Sequence, residues 1–262
     1  MKLQVGFTTI PFPPARQVIV DAGRNGIRWH VTQALLEIDV TTARRFIREH
    51  KAATGESFSF TAFFIACLAH AIDENKHLHA YRNWRNQLIL FEQVDVATLI
   101  ETTVDQVSLS HVVRAANKKT FREVHQEIRT IQATPAKSEQ KSELLDIAPY
   151  LPAFVRGLFY WALFKNPHWL KQIAGTVVVT SVGMFGKGGG WGFGFLPMHT
   201  LGITVGGIAE KPGVVEGRIE IREYLCVTVS MDHDIIDGAP AARFVQRLKE
   251  LVESGYGLDN HQ

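Results

Sequence analysis

Residues 223–255, EYLCVTVSMDHDIIDGAPAARFVQRLKELVESG, decide how this chain is to be read. From Glu223 to Met231 the side chains alternate in the manner of a β-strand, rich in β-branched residues. The strand delivers His233 to the loop just beyond its end, where a rigid scaffold often holds a working side chain. Asp237 follows four residues on, then Gly238, which suits a tight turn into a helix starting near Pro240 and ending at Gly255. The buried face of that helix is expected to carry Phe244, Val245, Leu248 and Val252. An unperturbed imidazole, with a pKa of about 6.5, is matched to removing a proton from a thiol with a pKa of about 8.5. The spacing is weak evidence by itself. A histidine, three residues and Asp-Gly would recur by chance in about one chain in fifty of this length at average residue usage. Asp237-Gly238 also reads as a simple turn, and Asp237 as a helix cap.

Upstream, Thr176–Thr180 and parts of Thr200–Ile208 are β-branched and read as further strands, with a glycine-rich turn region, Gly183–Gly194, between them. Arg218–Arg222 is strand-like as well. Val31–Val40 half-alternates as a strand, and Thr41 opens a helix closed by Gly55. Ser59–Ile72 is apolar nearly all round and predicts a buried helix. Leu88–Phe91 and Val94–Ile100 are strand-like; Thr120 and Glu123 have the spacing of a capping box ahead of Phe121, Val124, Ile128 and Ile131. Residues 134–142 read as a loop, and the prolines of Ile10–Pro14 predict an extended N-terminal arm over about residues 1–28. Strands and helices mix without a regular βαβ rhythm, so the fold class is α+β or mixed α/β, in one domain spanning 1–262.

Composition narrows the function. A net charge of +2, from 28 basic and 26 acidic residues, and the lack of basic runs interleaved with aromatics give no reason to expect a nucleic-acid partner. Cys67 and Cys226 sit in apolar runs without CxxC spacing, which fits a reducing, cytoplasmic setting. No stretch reaches the roughly 20 apolar residues of a membrane span. Gly186-Lys187-Gly188 lacks the Ser or Thr and the glycine spacing of a phosphate-binding loop. His77 and His79 have no third ligand in view, so no metal is expected.

The stretch Val227–Leu251 (VTVSMDHDIIDGAPAARFVQRLKEL) resembles the C-terminal signature of the dihydrolipoamide acyltransferases of 2-oxoacid dehydrogenase complexes, within the chloramphenicol acetyltransferase-like superfamily. Further matches run in order along the chain. They are His30-Val31-Thr32 with Glu37–Thr41, Phe58–Phe64 with Ala66, Gly175–Gly183 and Leu201–Gly207. The resemblance implies a two-layer α+β sandwich with a mixed sheet, assembled as a trimer whose sites lie between subunits. It implies acyl transfer between CoA and a thiol or other small acceptor, His233 serving as the general base. Alignment puts Thr180 at the position whose hydroxyl stabilises the oxyanion, with Ser181 one residue away and on the opposite strand face. Ser181, Gly183 and Gly238 become candidate substrate-binding positions. Asp237 is expected to hold the histidine loop through an ion pair with an arginine, for which Arg16 is the candidate.

Some features depart from that pattern. No lipoyl or subunit-binding domain is recognised ahead of the core, so a lipoyl group is expected only on a partner protein. Asp234 stands where relatives carry a basic residue, and Asp232 also flanks His233. Leu151–Leu170 (LPAFVRGLFYWALFKNPHWL) is richer in aromatics than the family's short polar stretch. It reads as a buried trimer-contact helix, or as the wall of an acyl channel or a membrane-surface segment. Two functions therefore stand: an acyltransferase, and a non-catalytic core that assembles with dehydrogenase-complex subunits.

Overall fold

The computed structural model describes residues 8–13, 16–26, 29–101, 108–134, 150–183 and 186–259. The described strands are β1 (Val31–Asp39), β2 (Tyr81–Arg82), β3 (Leu88–Ile89), β4 (Val96–Glu101), β5 (Ser108–Val113), β6 (Val177–Ser181), β7 (Leu201–Val215) and β8 (Arg218–Asp232). The helices are α1 (Arg16–Gly26), α2 (Thr41–Thr54), α3 (Phe60–Asp73), α4 (Phe121–Ala133), α5 (Ala153–Lys165), α6 (Pro167–Ala174) and α7 (Gly238–Ser254). Six strands form one sheet in the order β1-β8-β7-β6-β4-β5, while β2 and β3 make a separate ribbon. β6 runs parallel to both β4 and β7, and the other pairs are antiparallel, so the sheet is mixed as expected.

Alternation along the strands fixes what each face does. Val177, Val179, Ile203, Val205, Val227 and Val229 enter the main core, where they meet α3, α4 and α7. α3 lies at its centre, with ten buried residues and the Ser59 hydroxyl accepting from the Ala62 N–H at its first turn. The Thr120–Glu123 capping box forms, and Phe121, Val124, Ile128 and Ile131 are buried. Gly55 and Gly255 close α2 and α7 in the left-handed conformation. On the last helix Phe244, Leu248, Leu251 and Val252 are buried, with Val245 partly so.

The other sheet face is covered by the glycine-rich segment. A Cβ at Gly183 would lie 1.8 Å from the Gly206 carbonyl oxygen, and one at Gly206 would lie 2.2 Å from that of Gly190. Backbone thus packs on backbone, around the irregularity in the β7–β8 register between Val205 and Ile208. The Trp191 indole then donates to the Leu36 carbonyl at 3.1 Å.

Several expectations need correction. The N-terminal stretch is not extended throughout, because Arg16–Gly26 is helical. Proline is well suited to the start of a helix, and the Arg16 N–H bonds the Pro13 carbonyl at 3.0 Å. The strand-like run Leu88–Phe91 pairs only at Leu88 and Ile89. β7 and β8 join in one long hairpin whose turn residues, Glu216 and Gly217, both take positive φ. Leu151–Leu170 forms two helices, parted at Asn166-Pro167, where the Asn166 side chain caps α6. It is not buried in the single chain: Phe154, Leu158 and Trp161 are 78%, 64% and 58% exposed. Of the 134–142 loop, only residue 134 lies within the described residues.

Candidate active site

The loop after β8 is held by its backbone. Asp232 N–H donates to Thr200, and His233 N–H donates to the His30 carbonyl, both at 2.9 Å. Ile235 and Ile236 N–H groups then turn back onto the Asp232 carbonyl, each at 3.1 Å. His233 is left exposed at the end of the sheet, and among the described residues its imidazole has no hydrogen-bond partner. An exposed ring on a pinned backbone is a geometry suited to taking a proton from an incoming group.

The acidic neighbours of His233 have separate roles. Asp232 is 2% exposed and its side chain accepts from the Asp234 N–H at 3.2 Å; burial pushes its carboxyl above the ordinary value. Asp234 turns toward His30, with 2.9 Å between its Oδ1 and the ring Nδ1, and Arg82 approaches its other oxygen at 4.0 Å. The partners of Asp234 lie far away in sequence, beyond the reach of local spacing.

The proposed arginine partner of Asp237 is not found. Among the described residues neither Asp237 nor Arg16 has an ion pair, and the Asp237 side chain makes no cap bond to α7. Gly238 is the first residue of α7, and a Cβ there would meet open space, so the turn does not require glycine.

Thr180 lies on β6, in register with Thr204 of β7, which is in register with Thr228 of β8. His233 lies five residues beyond Thr228. Two strand spacings and five residues of rise put roughly 19 Å between the Thr180 and His233 positions in one chain. Proton transfer and oxyanion stabilisation on one substrate need contacts near 3 Å. The single chain therefore does not bring the two residues together.

Ser181 and Gly183 border a cleft of about 880 Å³ on the helix side of the sheet. Ser59 and Thr61 at the start of α3, Arg129 on α4 and Lys187 in the glycine-rich segment also line it. Its size lies within the usual range of ligand pockets. The two histidines weighed as metal ligands are in a short 3-10 turn, not on a strand. His79 is buried, and desolvation pushes it down to about 4, which marks a neutral packing residue. Among the described residues no three His, Cys, Asp or Glu side chains cluster as a metal site, and no helix is long and apolar enough to cross a membrane.

The family model for the 2-oxoacid dehydrogenases acyltransferase (catalytic domain) matches residues 6–145 and 170–258. The lipoamide acyltransferase component of the branched-chain alpha-keto acid dehydrogenase complex of Bacillus subtilis is 24% identical over 225 residues, covering 84% of this chain and 46% of that protein. The human mitochondrial dihydrolipoyllysine-residue succinyltransferase component of the 2-oxoglutarate dehydrogenase complex is 21% identical, over 83% of this chain and 42% of its own length. The chain thus spans less than half the length of these relatives. A probable dihydrolipoamide acetyltransferase from Listeria monocytogenes superimposes with a TM-score of 0.72 at 21% identity, over 98% of both chains. A chloramphenicol acetyltransferase does so at 0.52 and 14%, over 88% of this chain and 94% of that one. The chloramphenicol acetyltransferase-like fold expected from the sequence is the fold observed.

Proposed function

We propose, since this chain belongs to the 2-oxoacid dehydrogenases acyltransferase (catalytic domain) family, that it moves an acyl group between CoA and a thiol acceptor of the dihydrolipoamide type. The observation that carries the reading is His233, exposed at the end of β8 on a backbone fixed by Asp232, His30 and Thr200. Its imidazole takes the proton of the acceptor thiol, and the thiolate attacks the thioester carbonyl. The tetrahedral oxyanion is met by the Thr180 hydroxyl. Collapse breaks the bond to the departing thiolate, which recovers the proton from the imidazolium.

The separation of roughly 19 Å between Thr180 and His233 in one chain supports a site shared between copies, in a homotrimer. We assign the 880 Å³ cleft to the CoA moiety of the thioester, with Ser181 and Gly183 on its wall and Lys187 and Arg129 available to its phosphates. The acceptor is a small thiol or a lipoyl group carried by a partner protein in the cytoplasm. Asp237 and Gly238 shape the loop and the first turn of α7 rather than touching the reacting atoms.

Thiol release from acyl-CoA, read with a chromogenic thiol reagent in the presence of dihydrolipoamide, tests the reading. Turnover that falls at least a thousandfold in His233→Ala supports it. CoA binding without turnover by the native protein favours the non-catalytic core instead.

A further inference from the structure

The His233 rung lies just past the paired part of β1 and β8. Val31 faces Asp232 at the end of the ladder, and the His233 N–H then reaches the His30 carbonyl at 2.9 Å. A rung at the end of a ladder opens readily, because it is supported on one side only. Here it carries a second tie. The His30 ring Nδ1 lies 2.9 Å from Asp234 Oδ1, so His30 holds His233 through its backbone and Asp234 through its side chain. The His30 side chain is 76% exposed, so packing does not account for where it points. The His30 end of the tie is itself backed. The ring of the preceding residue, Trp29, lies 6.3 Å from that of Phe164 on α5. Helix α5 is fixed in turn to α1, where the Arg156 guanidinium donates to the buried Asp21 carboxylate at 2.6 Å and Tyr160 and Leu163 share an apolar cluster with Ala22. This helix falls inside the stretch 146–169 that the family model leaves unmatched.

We propose that His30 and Asp234 are positioning residues for the base. Their side-chain pair keeps the His233 rung closed and the imidazole in one place, and α5 backs the pair through Trp29. The inference rests on the reading of His233 as the base of acyl transfer. Both residues act through His233 rather than on the substrate, and a base displaced by about 1 Å can lose up to about a hundredfold in rate.

The test combines hydrogen exchange at the His233 amide, read by mass spectrometry, with thiol release from acetyl-CoA in the presence of dihydrolipoamide. Loss of an exposed pair changes a local equilibrium by up to about fivefold, so the amide should exchange about two- to fivefold faster in His30→Ala and in Asp234→Ala. In both, kcat should fall by about three- to tenfold while KM for acetyl-CoA stays within about twofold of native. His30→Ala leaves the Asp234 carboxylate in place, so an equal loss there traces the effect to the pair and not to the carboxylate's field on the imidazole. The double variant should be no slower than either single one, and His30→Asn, whose amide can donate from near the Nδ1 position, should recover most of the loss. Phe164→Ala should speed the same exchange by about two- to tenfold. Exchange that is unchanged in His30→Ala and Asp234→Ala, or faster exchange with kcat intact, overturns the proposal. Unchanged exchange in Phe164→Ala removes α5 from it. A native protein that turns over no thioester, but whose His233 amide still exchanges faster in these variants, would sink the acyl-transfer reading and leave the pair standing as the clamp on the loop.

Discussion

The separation of Thr180 and His233 has a quantitative consequence for mixed assemblies. Within one chain the two positions are roughly 19 Å apart, so on the proposed reading each working site takes its base from one chain and its hydroxyl from another. Chains carrying Thr180→Ala keep the base, and chains carrying His233→Ala keep the hydroxyl. Alone, the Thr180→Ala assembly should retain about 0.1–1% of native turnover, the effect of removing one oxyanion donor. When the two variants are co-expressed in equal amounts and trimers form at random, about a quarter of sites combine both intact groups. In any cyclic trimer containing both variants, one of the three sites does so. Mixed trimers isolated through two different tags should therefore recover about a third of native activity. The assay is thiol release per chain, with subunit mixing confirmed by native mass spectrometry. Activity in verified mixed trimers that is no greater than that of the single variants would refute the shared site.

Two other outcomes follow from packing and charge. Gly206→Ala places a methyl 2.2 Å from the Gly190 carbonyl oxygen and 2.9 Å from that of Cys226, both backbone atoms. It should cost about 1–3 kcal/mol, a fall of several degrees in Tm, while Gly238→Ala, with open space around it, should leave Tm unchanged or slightly raised. Asp232 carries a carboxyl pushed above its ordinary 3.8, chiefly by burial. A raised acid favours the folded state in its protonated form, so its contribution is lost as pH rises from 3.8 through the elevated value. Asp232→Asn should therefore stabilise the protein at neutral pH, and the gain should vanish toward pH 3.8 in melting curves taken across that range. A gain that grows on acidification contradicts the assignment.

Local rules served best where one residue type had one job. The Thr120–Glu123 box and the helix-closing Gly55 and Gly255 are written in a few adjacent residues, and the structure holds all of them. α1 was misread because the same prolines that restrict an extended arm also start a helix. The full hairpin was obscured because its turn needs positive φ at Glu216, a residue that gives no turn signal. The site was legible to the extent that it is local: the position of His233 could be read, and so could the β6 alternation that sets Thr180 and Ser181 on opposite faces. The tie from Asp234 to His30 spans 204 residues, and the cleft draws on four strands and three helices. Periodicity and spacing carry no information over such distances.

The pairing of β1 with β8 also sets a timetable for folding. Val31 lies opposite Asp232, so this register closes a loop of about 200 residues, at an entropic cost of about 5 kcal/mol, before any strand contact offsets it. Pairing of such distant segments is slow to nucleate, and during synthesis it must wait until the last strand has emerged. The His30–His233 backbone bond sits at the end of that ladder. The histidine loop is therefore among the last parts of the chain to take shape, and a chain that has not yet paired β1 with β8 holds His233 without the backbone bond that positions it.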